Sequence, residues 1–336
     1  MARRHAFLLA AFVVPFAFGT TRAVATAPEP AASPAATAAR EIAAGIHLVP
    51  GSFVPGHQPD GNSLLLVGPR GIVVVDSGRH DAHTERVLAA ARALGAPIVA
   101  VVNTHWHLDH ISGNARLRQA FPDLRVLASG ALDAASKGFL ASSRRQLEQM
   151  IASAPDAATA APWKAELARI ASIPKLAPDE VVTASGERTL AGRTLRLVLE
   201  TPAVTAGDLW VFDPATRVLI AGDLVTLPVP FLDTACPKGW RSALDHLATI
   251  DFQLLVPGHG PPMSRAVFET YRTAFGRLLD CAASTQPVES CATGWLHDAE
   301  TLLDGADPSF TRELLNDYLG EVLRGDRSRL EALCKA

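Results

Sequence analysis

The stretch that decides the fold reads Asn103-Thr104-His105-Trp106-His107-Leu108-Asp109-His110, directly after the apolar run from Pro97 to Val102. Residues 105–110 hold three imidazoles and a carboxylate. On an extended backbone, residues two apart point the same way, so His105 and His107 share a face. Asp109 and His110 follow where the chain turns toward a helix, and they face an adjacent point. Imidazole nitrogen and carboxylate oxygen suit zinc well and other divalent metals less selectively. Three of the chain's 11 histidines fall in this window, which sets it apart from scattered polar residues on a surface loop.

Outward from this stretch the pattern is β-rich on both sides. Ile46–Val49, Ser63–Val67, Ile72–Val75 and Pro97–Val102 are continuous apolar runs between Gly and Pro, as buried strands require. Helix is expected from Ala82 to Leu94 and near Asn114–Phe121, strand near Arg125–Ala128, and long helices near Leu132–Ser153 and Pro162–Ile173. A second β-rich section runs through Val181–Thr183, Thr194–Leu199, Asp208–Phe212 and Val218–Ile220. A helix near Ser242–Ile250, a strand at Leu254–Val256 and a helical tail from about Arg265, including Phe310–Leu323, complete the chain. Two β-rich halves flanked by helices predict two packed sheets with helices on both outer faces.

Composition narrows the function classes. The chain has 336 residues, 48% of them hydrophobic and 19% charged, which excludes a disordered, collagen-like or coiled-coil chain. Lys+Arg 31 against Asp+Glu 34 leaves a net charge of −3, so no basic field exists to hold a phosphate backbone. Aromatic residues at 6% also argue against base stacking. Nucleic acid is excluded as a partner, and a small-molecule substrate is expected.

The start Met1-Ala2-Arg3-Arg4-His5, the apolar run Ala6–Gly19 and the small residues Ala23-Val24-Ala25 match a secretory signal peptide over residues 1–25. The run is short for a bilayer and is interrupted by Pro15, so no permanent membrane anchor is expected after cleavage. An Ala/Pro-rich linker, 26–41, follows. The expected location is periplasmic or secreted. Cys236, Cys281, Cys291 and Cys334 contain no CxxC pair, and an even count in an oxidising compartment favours disulfides. Three pairings are open; Cys281 with Cys291 closes the shortest loop, which leaves Cys236 for Cys334.

The run Asn103–His110 closely resembles the signature of the metallo-β-lactamase superfamily, over about residues 42–265. The resemblance extends to Asp76 at the end of the third strand, Ala221-Gly222-Asp223 and Pro257-Gly258-His259-Gly260. Within the family the chain looks most like the exported hydrolases of the β-lactamase and quinoprotein-associated branches. The resemblance implies an α/β fold, an αββα sandwich of two mixed β-sheets flanked by helices, here with a helical C-terminal extension over 266–336. It implies one or two Zn2+ ions at one edge between the sheets. His105 and His107 would bind the first metal, Asp109, His110 and His259 the second, and Asp223 would bridge them. Asp76 resembles a carboxylate that orients a ligand.

One departure stands out. The family usually supplies another His to the first metal in a segment like "His-Thr-x-Gly-Asp". Here residues 202–208 read Pro202-Ala203-Val204-Thr205-Ala206-Gly207-Asp208, so Val204 stands where that His is expected. Residues 111–245 contain no histidine that could replace it, and Glu200 or Thr205 could help only after a backbone shift. The second site is therefore favoured. The chemistry expected is water activated by zinc, with Asp109 or His107 as the base, acting on an ester, lactone, thioester or lactam. Loops Phe53–Gly61 and Pro228–Trp240 would shape the pocket. The alternative is a metal-binding accessory protein of a periplasmic redox system with little turnover. An iron-dependent sulfur oxygenase ranks last, because its usual iron site also needs the missing His.

Overall fold

Four strands open the fold, β1 (Arg40–Ala43), β2 (Ile46–Val49), β3 (Ser63–Gly68) and β4 (Gly71–Val75), each antiparallel to the next. The computed structural model describes residues 38–54 and 57–335. The expected signal peptide and most of the expected linker lie outside the described residues. Strand β1 already includes Arg40 and Glu41, so the linker reading ran two residues too far.

After helix α1 (Asp81–Ala93) come three parallel additions to the same sheet, β5 (Ile98–Val102), β6 (Arg125–Ala128) and β7 (Glu180–Val181). The second sheet holds β8 (Gly186–Leu190), β9 (Arg193–Glu200), β10 (Asp208–Asp213) and β11 (Val218–Thr226), all antiparallel, with β12 (Leu254–His259) parallel to β11. Both sheets are mixed. The period of two along β4 explains how they pack. Val73 and Val75 point between the sheets onto Leu197, Val211 and Val256, while Ile72 and Val74 point outward onto Val87 and Leu88 of α1.

Helices cover both outer faces, as the αββα reading requires. Between β5 and β6 lie α2 (Leu108–Ile111) and α3 (Asn114–Ala120), and between β6 and β7 lies a helical insertion of α4 (Ala131–Lys137), α5 (Phe139–Ala152), α6 (Ala157–Ala171) and α7 (Ile173–Leu176). The single long helix expected over 132–153 is broken at Gly138, whose φ −103 and ψ −93 leave the helical region. The next helix starts earlier than expected because Asp156 caps it, accepting from the Thr159 amide.

The second sheet packs against α8 (Pro237–Ala248) and a C-terminal helical part: α9 (Arg265–Ala283), α10 (Val288–Asp298), α11 (Pro308–Asp317), a π turn (Tyr318–Leu323) and α12 (Arg327–Leu333). Trp240, Tyr271, Phe275 and Trp295 are fully buried where these helices meet the sheet. This part grips the loop that leads from β11 to α8. Trp295 Nε1 donates to the Pro228 carbonyl at 3.0 Å and the Tyr318 hydroxyl to Asp233 Oδ2 at 2.8 Å. Arg329 Nη2 donates to the Asp233 carbonyl at 3.1 Å, and a disulfide joins Cys236 to Cys334. The second disulfide, Cys281–Cys291, joins α9 to α10, so the pairing expected from loop length is the one present.

Two outcomes follow for stability. The Cys236–Cys334 link closes a separation of 98 residues and Cys281–Cys291 one of 10. Loop-closure entropy then gives about 4.7 and about 2.7 kcal/mol respectively. Replacing both members of the long-range pair by Ala should lower the urea midpoint more than replacing both members of the short one. The second outcome concerns Asp233, whose carboxyl is pushed up to about 6 by burial, against the Tyr318 hydrogen bond and the Arg329 charge. The folded chain keeps this proton between the ordinary value of 3.8 and about 6 while the unfolded chain has lost it. Its contribution to stability therefore falls as pH rises through that window and levels off above it. Asp233→Asn should gain on wild type by up to about 3 kcal/mol between about pH 4 and about pH 7, read from urea midpoints at the two pH values.

Candidate metal centre

Every candidate ligand sits at one edge of the sandwich, where strand ends of the two sheets meet. Asp76 follows β4, His105 to His110 follow β5, Asp223 lies within β11, and His259 ends β12. The β11–β12 register shifts between Ile220 and Thr226, and this irregularity turns Asp223 out of the ladder. Two glycines make room for it. Gly222 has φ +54, and a Cβ there would lie 2.6 Å from the Thr104 side chain. A Cβ at Gly258 would lie 1.9 Å from Asp223 Oδ1, so only glycine admits the carboxylate.

Asp76 is buried at φ +59 and organises this edge. Its Oδ1 accepts from the Thr104 amide at 2.8 Å. Its Oδ2 accepts from the Thr104 hydroxyl at 2.7 Å and from His110 Nδ1 at 2.8 Å. His110 therefore turns its other nitrogen, Nε2, toward the candidate ligands. Thr104 has given its proton to Asp76, so its oxygen accepts from His105 Nδ1 at 3.0 Å. His105 Nε2 is then the lone-pair nitrogen. Asp76 orients the His110 ring directly and sets the tautomer of His105 through a threonine; against burial, Asp223, Asp76 and Asp109 hold His110 well above the ordinary histidine value, so the metal-free ring is charged.

The donor atoms converge. His110 Nε2 lies 3.2 Å from Asp223 Oδ1, 3.4 Å from His259 Nε2 and 3.6 Å from Asp109 Oδ2. His259 Nε2 lies 3.0 Å from Asp109 Oδ2 and 3.6 Å from Asp223 Oδ1. The other oxygen of Asp223, Oδ2, lies 3.6 Å from His105 Nε2. Asp223 thus faces both halves of the centre. His105 Nε2 and both Asp223 oxygens are buried with no hydrogen-bond partner among the described residues. Buried polar atoms are rarely left so, and a divalent cation would satisfy all three. The residues present fit a metal.

Electrostatics agree. Burial, with His110 beside it, holds His105 well below the ordinary histidine value, and burial holds His107 at about 4. Both imidazoles are neutral at pH 7, the form that binds metals. Asp109 and Asp223 lie below the usual carboxylate range although burial opposes it, because His110 and His259 face them. Asp208 differs: burial, with Asp223 nearby, pushes it up to about 7 against hydrogen bonds from Thr205.

The compact groups are His105, His110 and Asp223 on one side and Asp109, His110 and His259 on the other. His107 stands outside both, with Nε2 held 2.8 Å from Thr234 Oγ1, although its ring packs 4.5 Å from that of His105. Val204 is fully buried in the apolar cluster of the second sheet. Neither suggested substitute is at the centre: Glu200 accepts from Trp210 Nε1 and pairs with His246, and Thr205 bonds Asp208. Sequence reading missed Thr104, Thr234 and Arg79. Arg79 is buried, with Nη2 3.6 Å from Asp109 Oδ1 and Nη1 2.5 Å from Glu166 of α6. Only its place three residues after Asp76 hints at it.

A cavity of about 60 Å³ opens on His107 and Asp109, walled by Trp106, Phe139 and Leu140. A larger cleft of about 390 Å³ lies beside His259, between Phe53, Leu227 and Phe310. Phe53 stacks on Phe231 at 5.9 Å and meets Phe310 of α11 at 5.9 Å with the rings tilted by 53°, and Phe231 meets the His259 ring at 5.4 Å. Of the two loops expected to shape the pocket, the one with Phe231 meets a candidate ligand, His259, and the one with Phe53 packs on Phe231.

Comparison with known proteins agrees with this edge. The family model "Metallo-beta-lactamase superfamily" matches residues 58–259. A linear primary-alkylsulfatase from Pseudomonas sp. is 26% identical over 222 residues, 60% of this chain and 41% of that protein. A hydroxyacylglutathione hydrolase from Synechococcus sp. is 46% identical over 66 residues, 20% of this chain and 24% of that protein. The chain thus spans less than half the length of these curated relatives. Among solved structures, a metallo-β-lactamase from Pontibacter korlensis aligns with a TM-score of 0.54 at 20% identity, covering 71% of this chain and 98% of that one. One from Erythrobacter litoralis aligns at 0.51 and 20%, covering 71% and 95%. These likenesses show the sandwich fold. With the family model spanning the run 105–110, Asp223 and His259, the chain belongs to the metallo-β-lactamase superfamily.

Proposed function

We propose that the chain is an exported zinc-dependent hydrolase that activates water for attack on an ester, lactone, thioester or lactam. The observation that carries this reading is the buried cluster of Asp109, His110, Asp223 and His259 donor atoms, in which both Asp223 oxygens face histidine nitrogens without a hydrogen bond among the described residues. These four residues would hold the tighter metal, and His105 and His107, with Asp223 shared, the weaker one. When bound, zinc supplies an acidified water and a Lewis acid at this edge. The chain's own residues do the rest. Asp109 is ionised and lines the small cavity: Oδ2 faces His110 and His259, and Oδ1, beside Arg79, is the oxygen left to orient water and accept its proton. His107 lines the same cavity as a neutral imidazole; when only the His259 side holds metal, its free nitrogen is the second proton acceptor, and when it binds the first metal it is a ligand only. Trp106, Phe139 and Leu140 give that side an apolar wall. The two disulfides suit an oxidising compartment and support the periplasmic or secreted location read from residues 1–25.

One observation favours the second reading, a metal-binding accessory protein with little turnover. Val204 lies in the apolar cluster, which leaves the first metal one imidazole short of the family's set. Elemental analysis of the purified protein, with a panel of ester, lactone, thioester, alkyl sulfate and β-lactam substrates, separates the two. Hydrolysis that is lost with a chelator and restored by zinc supports the enzyme; bound metal with no turnover supports the accessory protein.

Calorimetric zinc titration of the metal-stripped protein should show one strong site, lost in His259→Ala and retained in His105→Ala. The reverse pattern would overturn the ligand assignment. Val204→His should raise zinc stoichiometry from about one toward two and raise turnover with it. Placing a ring in that apolar cluster should also lower stability by about 1–3 kcal/mol. Two tightly held zincs in the wild type would show that the gap at Val204 has no effect on the first site.

A further inference from the structure

We propose that Thr234 is a positioning residue of the metal centre: it fixes which ring nitrogen His107 offers, and the Val204 segment serves it through a backbone carbonyl instead of a side chain. The inference rests on the reading that His107 is a metal ligand, and it follows from counting protons. Thr234 Oγ1 lies 3.0 Å from the Val204 carbonyl, which can only accept, so the single hydroxyl proton goes there. The same oxygen lies 2.8 Å from His107 Nε2. With its proton committed, the hydroxyl can only accept, so Nε2 carries the hydrogen. The lone pair of neutral His107 is then on Nδ1, and Nδ1 is the atom it can offer a metal.

Thr104 works the same way on His105. It donates to Asp76, accepts from His105 Nδ1 and leaves Nε2 free. The two threonines select opposite nitrogens on histidines two residues apart. Without such a partner the ring of His107 would divide between tautomers and rotate more freely. The segment at Val204 has lost the expected ligand side chain, yet its backbone still bears on the centre through Thr234.

Thr234 is itself held from outside the sandwich. Its neighbour Asp233 accepts from the Tyr318 hydroxyl through its carboxylate and from Arg329 through its carbonyl, and Cys236 is linked to Cys334. The C-terminal helices therefore reach the metal centre by way of one hydroxyl.

Long-range proton–nitrogen NMR of the histidine rings tests this directly, in metal-free and zinc-loaded protein. Wild type and Thr234→Ser should show His107 as the Nε2–H tautomer, and zinc should shift its Nδ1 resonance. The near-isosteric Thr234→Val should show mixed tautomers and bind the His107-side metal about 10-fold or more weakly, with the His259 side changed less than about 2-fold. A His107 ring protonated on Nδ1 in the wild type would overturn the proposal. So would a Thr234→Val ring indistinguishable from wild type, or His107 nitrogens that zinc leaves unmoved. Failure to take up any metal would overturn the functional reading, and the metal-free ring nitrogens would still decide the role of Thr234.

Discussion

Three carboxylates, Asp76, Asp109 and Asp223, are buried within one edge of the sandwich at 1%, 4% and 2% exposure. Burying a carboxylate is strongly unfavourable unless charge or hydrogen bonds compensate it. Each is compensated differently. Asp76 takes three donors from Thr104 and His110. Asp109 sits between Arg79 and His259. Asp223 has only histidine ring nitrogens opposite it and no hydrogen bond. The fold around this edge follows from that requirement: the irregularity in β11, the glycines at 222 and 258, and the loop after β5 all bring imidazoles to Asp223. An arrangement so costly without a cation has the character of a binding site, since a packed core would be served better by apolar residues.

Much of this was legible in the sequence because the relevant signals are local. The apolar runs that became β3 to β5 are buried on both faces along most of their length, so they read as hydrophobic stretches without alternation. The ligand-bearing run is six residues long, and His259 follows a buried strand with a glycine on either side. What escaped was either weakly patterned or distant. Strand β8, Gly-Glu-Arg-Thr-Leu, is half exposed and has no buried face to mark it. The break at Gly138 needed a backbone conformation, not a periodicity. Arg79 and Thr234 act on residues 30 and 127 positions away in sequence, and no spacing rule reaches that far.

The departure at Val204 shows why the structure changes the functional argument. From sequence the position is simply a ligand missing from the first site. In the folded chain its side chain is fully buried among apolar neighbours, where it adds to the packing of the second sheet. Its carbonyl meanwhile anchors the hydroxyl that orients His107. Loss of one donor does not, then, leave the remaining two loose. His105 is held by Thr104 and Asp76, and His107 by Thr234, each with its tautomer set in advance of any cation. A first site of this kind is preorganised but short of donors. Three protein ligands with open positions is the arrangement that catalytic zinc sites use, whereas structural sites are closed. The reduced ligand set is therefore compatible with turnover, provided that the loop carrying Thr234 stays in place. That loop is held by Trp295, Tyr318, Arg329 and the Cys236–Cys334 link, all contributed by the C-terminal helices or joined to them. The helical extension and the position of His107 are thus linked through one loop, by contacts that run from the C-terminal helices to Thr234.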